Sequence, residues 1–130
     1  MRMIGWGCLV WGMLALYGCA GSQTLVSTIG MPQDAPVVKV SMTAQKYEFK
    51  PSEVRVPQGS HVILEVESLD VTHGISIPAY GIDAKLPPDR KVTVEFYAKD
   101  AGTFPFHCSV FCGMGHMGMR GAIVVEKLGK

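Results

Sequence analysis

The sequence predicts an all-β domain, an antiparallel Greek-key sandwich or barrel, on three observations. From Val37 onward, apolar residues recur at every second position in short runs. Turn-forming stretches such as "PQGS", "KLPPDR" and "KDAG" separate those runs. No stretch holds a helical period over three turns. About seven or eight short strands then fit the span 37–127, and a domain of that kind buries a core without disulfides.

The chain opens with Met1-Arg2, an apolar run from Ile4 to Leu16 and a small residue before Cys19, which together predict an export leader over residues 1–18. The run is shorter than the roughly 20 residues a membrane-spanning helix requires. Leu16-Tyr17-Gly18-Cys19 resembles a bacterial lipobox, which implies lipidation at Cys19. An uncleaved helical anchor is the rival. Both place the domain in the bacterial cell envelope, membrane-anchored on the periplasmic or extracytoplasmic side. Residues 19–36 are small, polar and turn-prone and read as a flexible tether, with an end-to-end distance of roughly 20–25 Å.

The strands follow in order. "VVKVSM" puts Val38, Val40 and Met42 on one face, and "HVILEVE" sets Val62, Leu64 and Val66 against His61, Ile63 and Glu65. "RKVTVEFYA" aligns Val92, Val94 and Phe96. "EVRVP", "HGISIP", "GTFPFHC" and "GAIVVEK" complete the set. Twelve basic residues nearly balance eleven acidic ones with no basic run, so nucleic acid is not an expected partner.

The chemistry concentrates in "HCSVFCGMGHMGM", residues 107–119. In "GTFPFHC", Phe104, Phe106 and Cys108 share a face and His107 points the other way, so His107 is expected at the surface. His61 is expected in solvent. His73 shares parity with Ile75 and Ile77 and turns inward. The string Cys108-x3-Cys112-x3-His116-x2-Met119 lies between two strands, amid glycines that let the backbone curl around a small object.

Several readings of these donors compete. A Cys108–Cys112 disulfide suits an exported chain but leaves His116 and Met119 unused. Zinc on two cysteines and two histidines has no use for Met119. A mononuclear blue copper site would take His73, Cys112, His116 and Met119 and leave Cys108 over. Thiolate and thioether are soft ligands, and imidazole suits copper as well as zinc.

The stretches "VTHGISIPAYGIDAKLPPDRKVTVEF" and "CSVFCGMGHMGMRGAIVVE" resemble the CuA-type cupredoxin domain. That domain occurs in cytochrome c oxidase subunit II and in the C-terminal part of nitrous oxide reductase. The resemblance implies a cofactor of two copper ions, with Cys108 and Cys112 each bridging both. It implies His73 and Met119 on one copper, and His116 with the backbone carbonyl of Val110 on the other. Oxidase subunits commonly carry a glutamate where this chain has Val110, which offers only its carbonyl. Met114 and Met117 fall outside the pattern and are expected to pack within the loop.

The implied function is single-electron transfer between a cytochrome c-like donor and a membrane-associated terminal oxidase or reductase. Alternatives are a diverged oxidase subunit II that acts only within a complex, and a periplasmic copper-delivery protein. The domain is not expected to be an enzyme on its own. Phe111 and Tyr80 are the expected docking aromatics.

Overall fold

The structure is a computed structural model that describes residues 24–26 and 30–129. The expected leader, Cys19 and part of the tether (residues 20–23 and 27–29) lie outside the described residues. The strands are β1 (Thr24–Val26), β2 (Val37–Gln45), β3 (Glu48–Lys50), β4 (Glu53–Pro57) and β5 (His61–Ser68). They continue with β6 (His73–Ile77), β7 (Ile82–Leu86), β8 (Val92–Tyr97), β9 (Gly102–His107) and β10 (Arg120–Glu126). Two 3₁₀ turns, Pro78–Tyr80 and His116–Gly118, are the only helical pieces among the described residues. None of them is long and apolar enough to cross a membrane.

Two five-stranded sheets, ordered β1-β8-β5-β2-β3 and β4-β10-β9-β6-β7, enclose one core. The alternation read from sequence sets which face is buried. Val62, Leu64 and Val66 on β5 face Val92, Val94 and Phe96 on β8 in antiparallel register and are all buried. Ile75 and Ile77 on β6 and Ile123 and Val125 on β10 supply the opposing sheet's share. Each such side chain contributes about 1.5–3 kcal/mol on burial, and the sum sustains the sandwich without a covalent link.

Three features depart from expectation. The sheets are mixed rather than antiparallel throughout, because β1–β8, β2–β5 and β4–β10 pair in parallel. The chain crosses between sheets from β3 to β4 and again from β4 to β5. It therefore returns beside β2 in the same direction, from Val37↔His61 to Ala44↔Ser68. Strand β7 was hidden because it runs into the turn composition "KLPP". Its inward residues are Ile82, Ala84 and Leu86. Finally, β1 is a short strand inside the stretch read as tether.

His61 is also corrected. It sits on the outward face of β5, but its Nε2 lies 2.7 Å from Glu95 Oε2 and it is only partly exposed.

The topology then fixes one end of the sandwich. Strands β10, β9 and β6 are consecutive neighbours, with β9 antiparallel to both others. The start of β6, the end of β9 and the start of β10 therefore converge. His73, Cys108 and Met119 stand at those three points.

Candidate metal centre

His73 opens β6, Cys108 directly follows β9, and Met119 directly precedes β10, so sheet ends hold three of the donors. The Cys108 N–H donates to the Met119 carbonyl at 3.0 Å and closes the base of the intervening loop. Within the loop, the His116 N–H bonds the Gly113 carbonyl at 3.1 Å and the Met119 N–H bonds the His116 carbonyl at 3.1 Å. The 3₁₀ turn His116–Gly118 thus orients an otherwise irregular segment. Gly74 lets the loop reach β6: a Cβ there would lie 2.3 Å from Ser109 Oγ and 3.0 Å from the Val110 nitrogen.

The structure brings all six expected donors together. Cys108 Sγ lies 3.8 Å from Cys112 Sγ, 3.9 Å from His73 Nδ1 and 3.1 Å from the Val110 carbonyl oxygen. Cys112 Sγ lies 3.8 Å from His116 Nδ1 and 3.9 Å from Met119 Sδ. Each sulfur thus has one imidazole and one weaker donor of its own. His73, Cys108, Cys112 and Met119 are buried, while His116 is half-buried at the edge. Both described cysteines are free, so the disulfide reading is not the arrangement found.

These separations leave room for a metal ion among the donors. A thiolate sulfur bonds zinc at about 2.3 Å and an imidazole nitrogen at about 2.0 Å. Sulfurs on a common ion with similar bond lengths can stand up to about 4.6 Å apart, and a sulfur and a nitrogen up to about 4.3 Å. The observed 3.8 and 3.9 Å fall inside both limits. Burial pushes the Cys112 thiol up to about 11, and the adjacent Cys108 adds to the shift. A cation between the sulfurs would offset both pressures.

Asp70 was missed by the sequence reading. Its Oδ1 lies 2.6 Å from His73 Nε2, the ring nitrogen opposite the one facing Cys108. Burial alone would raise the Asp70 carboxyl, but the N–H groups of Lys46 and Val71 and the His73 ring outweigh it and hold it below its ordinary value. The anion therefore persists and fixes the imidazole. An acid three residues before an inward histidine was the available signal, and many surface acids look the same.

Other expectations divide. His107 is exposed, as expected. Met114 and Met117 do not pack within the loop: they are 94% and 72% exposed, and Phe111 on the same loop is 73% exposed. Tyr80 is half-buried, and its ring packs against the core. It stacks on Phe96 at 4.2 Å and meets Phe104 at 5.5 Å, which leaves less of it for docking than the sequence suggested. Burial, with Asp100 nearby, pushes its hydroxyl up to about 12.

Comparison with known proteins agrees with this picture. The family described as the cupredoxin-like domain matches residues 8–125. Cytochrome c oxidase subunit 2 of Thermus thermophilus is 32% identical over 88 residues, covering 68% of this chain and 65% of that protein. Nitrous-oxide reductase of Ralstonia nicotianae is 32% identical over 101 residues, covering 75% of this chain but 16% of the enzyme. The chain thus spans under two thirds of the oxidase subunit and a small part of the reductase. Among solved structures, a heme-copper terminal oxidase dimer superposes with a TM-score of 0.63 at 28% identity, covering 68% of this chain and 64% of that one. The resemblance to the CuA-type domains of these enzymes is borne out, and the donor set fits a copper electron-transfer role. This chain belongs to the cupredoxin-like domain family.

Proposed function

We propose that the domain holds a dinuclear CuA-type copper centre and relays single electrons between a cytochrome c-like donor and a membrane-associated oxidase or reductase. The observation that carries this reading is the paired donor set: two unbonded sulfurs 3.8 Å apart, each with its own imidazole at 3.8 or 3.9 Å. A mononuclear site would strand one buried thiol, and zinc would leave Met119 unused. His73, Cys108, Val110, Cys112, His116 and Met119 would hold the two ions.

Bound there, copper supplies one-electron redox chemistry. The chain's own residues do the rest. Two thiolates offset most of the charge that a pair of copper ions brings into an apolar pocket, which limits the desolvation cost. Sheet ends on both sides restrict donor movement, and a site that moves little on reduction exchanges electrons quickly. Half-buried His116 and the exposed Phe111, Met114 and Met117 on the same loop offer a way out to a partner. Cys19 lipidation or a leader helix would tether the domain at the periplasmic membrane face.

A second reading, copper delivery, draws on the exposed thioethers of Met114 and Met117, which are soft ligands for Cu(I). Copper titration of the domain separates the two. The electron-transfer reading requires two copper ions per chain, a purple product and reversible reduction by a small cytochrome c. A colourless chain that binds only Cu(I), and yields it to an acceptor, supports delivery instead.

A further inference from the structure

We infer that the Lys46–Tyr47 turn between β2 and β3 is a clamp that positions both halves of the metal site at once. This rests on the metal centre proposed above and extends it to two residues outside the donor set.

One arm is the Tyr47 ring. A Cβ built on Gly115 would stand 2.3 Å from Tyr47 Cδ2 and 2.4 Å from Cγ, and one on Gly113 would stand 2.4 Å from Tyr47 Oη. The ring therefore lies close against the two glycines that flank Met114, in the segment joining Cys112 to His116. Gly113 adopts a φ of +136°, which side-chain-bearing residues rarely take, so this segment has little conformational preference of its own. Beyond the His116 N–H to Gly113 carbonyl bond, the Tyr47 ring gives this segment a surface to rest on. Tyr47 is 38% exposed and does not belong to the core, so packing the sandwich does not account for its position.

The other arm is the Lys46 backbone. Its N–H donates to Asp70 Oδ2 at 2.8 Å, and Asp70 Oδ1 meets His73 Nε2 at 2.6 Å, with His73 Nδ1 facing Cys108. Adjacent residues thus support His73 on one side and Cys112 with His116 on the other. The turn is itself anchored: the Leu69 N–H bonds the Ala44 carbonyl at 2.9 Å, tying the end of β2 to the loop that carries Asp70. A donor cage whose two sides share one brace keeps its spacing when the charge inside it changes.

A double-mutant cycle tests the clamp. Gly115→Ala in the native background forces the ring off the loop. The same change in a Tyr47→Ala background meets no ring, so the two effects must be strongly non-additive, as for residues in contact. In the copper-free chain, hydrogen exchange at residues 113–118 should rise about tenfold with either single change, and the double change should add little. In the copper-loaded chain, release to a chelator should rise in parallel while the copper count stays the same. Tyr47→Phe keeps the ring and should behave as native in both assays. Exchange in β5 and β8 checks that each variant is folded, and Tyr47→Leu replaces Tyr47→Ala if the latter is not. Additive effects, or native loop exchange in a folded variant without the ring, would overturn the clamp. Failure of the native chain to bind copper would remove the metal reading, and the exchange cycle on the copper-free chain would still decide the clamp.

Discussion

Asp70 and His73 meet through Oδ1 and Nε2 at 2.6 Å, on the ring nitrogen turned away from the two sulfurs. A carboxylate there fixes the tautomer, leaves Nδ1 free as a donor and raises its basicity. Asp70→Asn should keep the fold and the copper count but lower copper affinity by about 10–100-fold, measured by chelator competition. Native affinity in that variant would mean that the ring is held by its β-strand setting alone.

The same carboxylate gives the copper-free domain an acid limb. Its folded pKa lies below the ordinary 3.8, so its stabilisation is fully present above that value and fades as pH falls through the folded pKa. Unfolding free energy measured from pH 6 to pH 2 should decline over the acid end, and Asp70→Asn should flatten part of that decline. Identical slopes would assign the limb to other carboxylates.

Cys108→Ser should abolish the paired centre and leave room for one copper on His73, Cys112, His116 and Met119. The Cys112 thiol, pushed up to about 11 by burial, is protonated in the copper-free chain at neutral pH. Copper binding as thiolate must therefore release protons, and apparent affinity should climb as pH rises from neutral. Titrations in buffers of differing ionisation enthalpy count those protons. A pH-independent affinity would exclude thiolate ligation.

Met119→Leu is close to volume-conserving at a fully buried position and should cost less than about 1.5 kcal/mol in stability. The thioether is a weak ligand, so both ions should stay and the reduction potential should shift. Loss of copper in this variant would show that Met119 carries more of the site than its placement suggests. His107→Ala, at an exposed ring, should leave copper count and potential as they are.

Much of this was legible in the chain. Period-two alternation located β2, β5 and β8 because each presents three β-branched or large apolar residues inward. Strand parity alone separated His73 and Cys108 from His107. Strand β7 escaped because Ala84 is a weak apolar marker and a proline-rich turn follows it. The parallel pairings escaped because alternation reports which face is buried and carries no strand direction. Asp70 and Tyr47 escaped for different reasons. Asp70 sits only three residues before His73, but a lone acid at that spacing looks like any surface acid. Tyr47 lies far from the donor loop in sequence, and a half-exposed tyrosine carries no pattern that points to it. Met114 and Met117 were placed wrongly because their hydrophobicity suggested packing, whereas a loop closed around donors leaves its outer side chains nothing to pack on.

Electron paramagnetic resonance of the copper-loaded, partly oxidised domain tests the central claim most directly. The account predicts two copper ions per chain and a hyperfine pattern from one unpaired electron spread equally over both nuclei. A spectrum from a single copper nucleus, or a Cys108–Cys112 disulfide in copper-supplied protein, would contradict it.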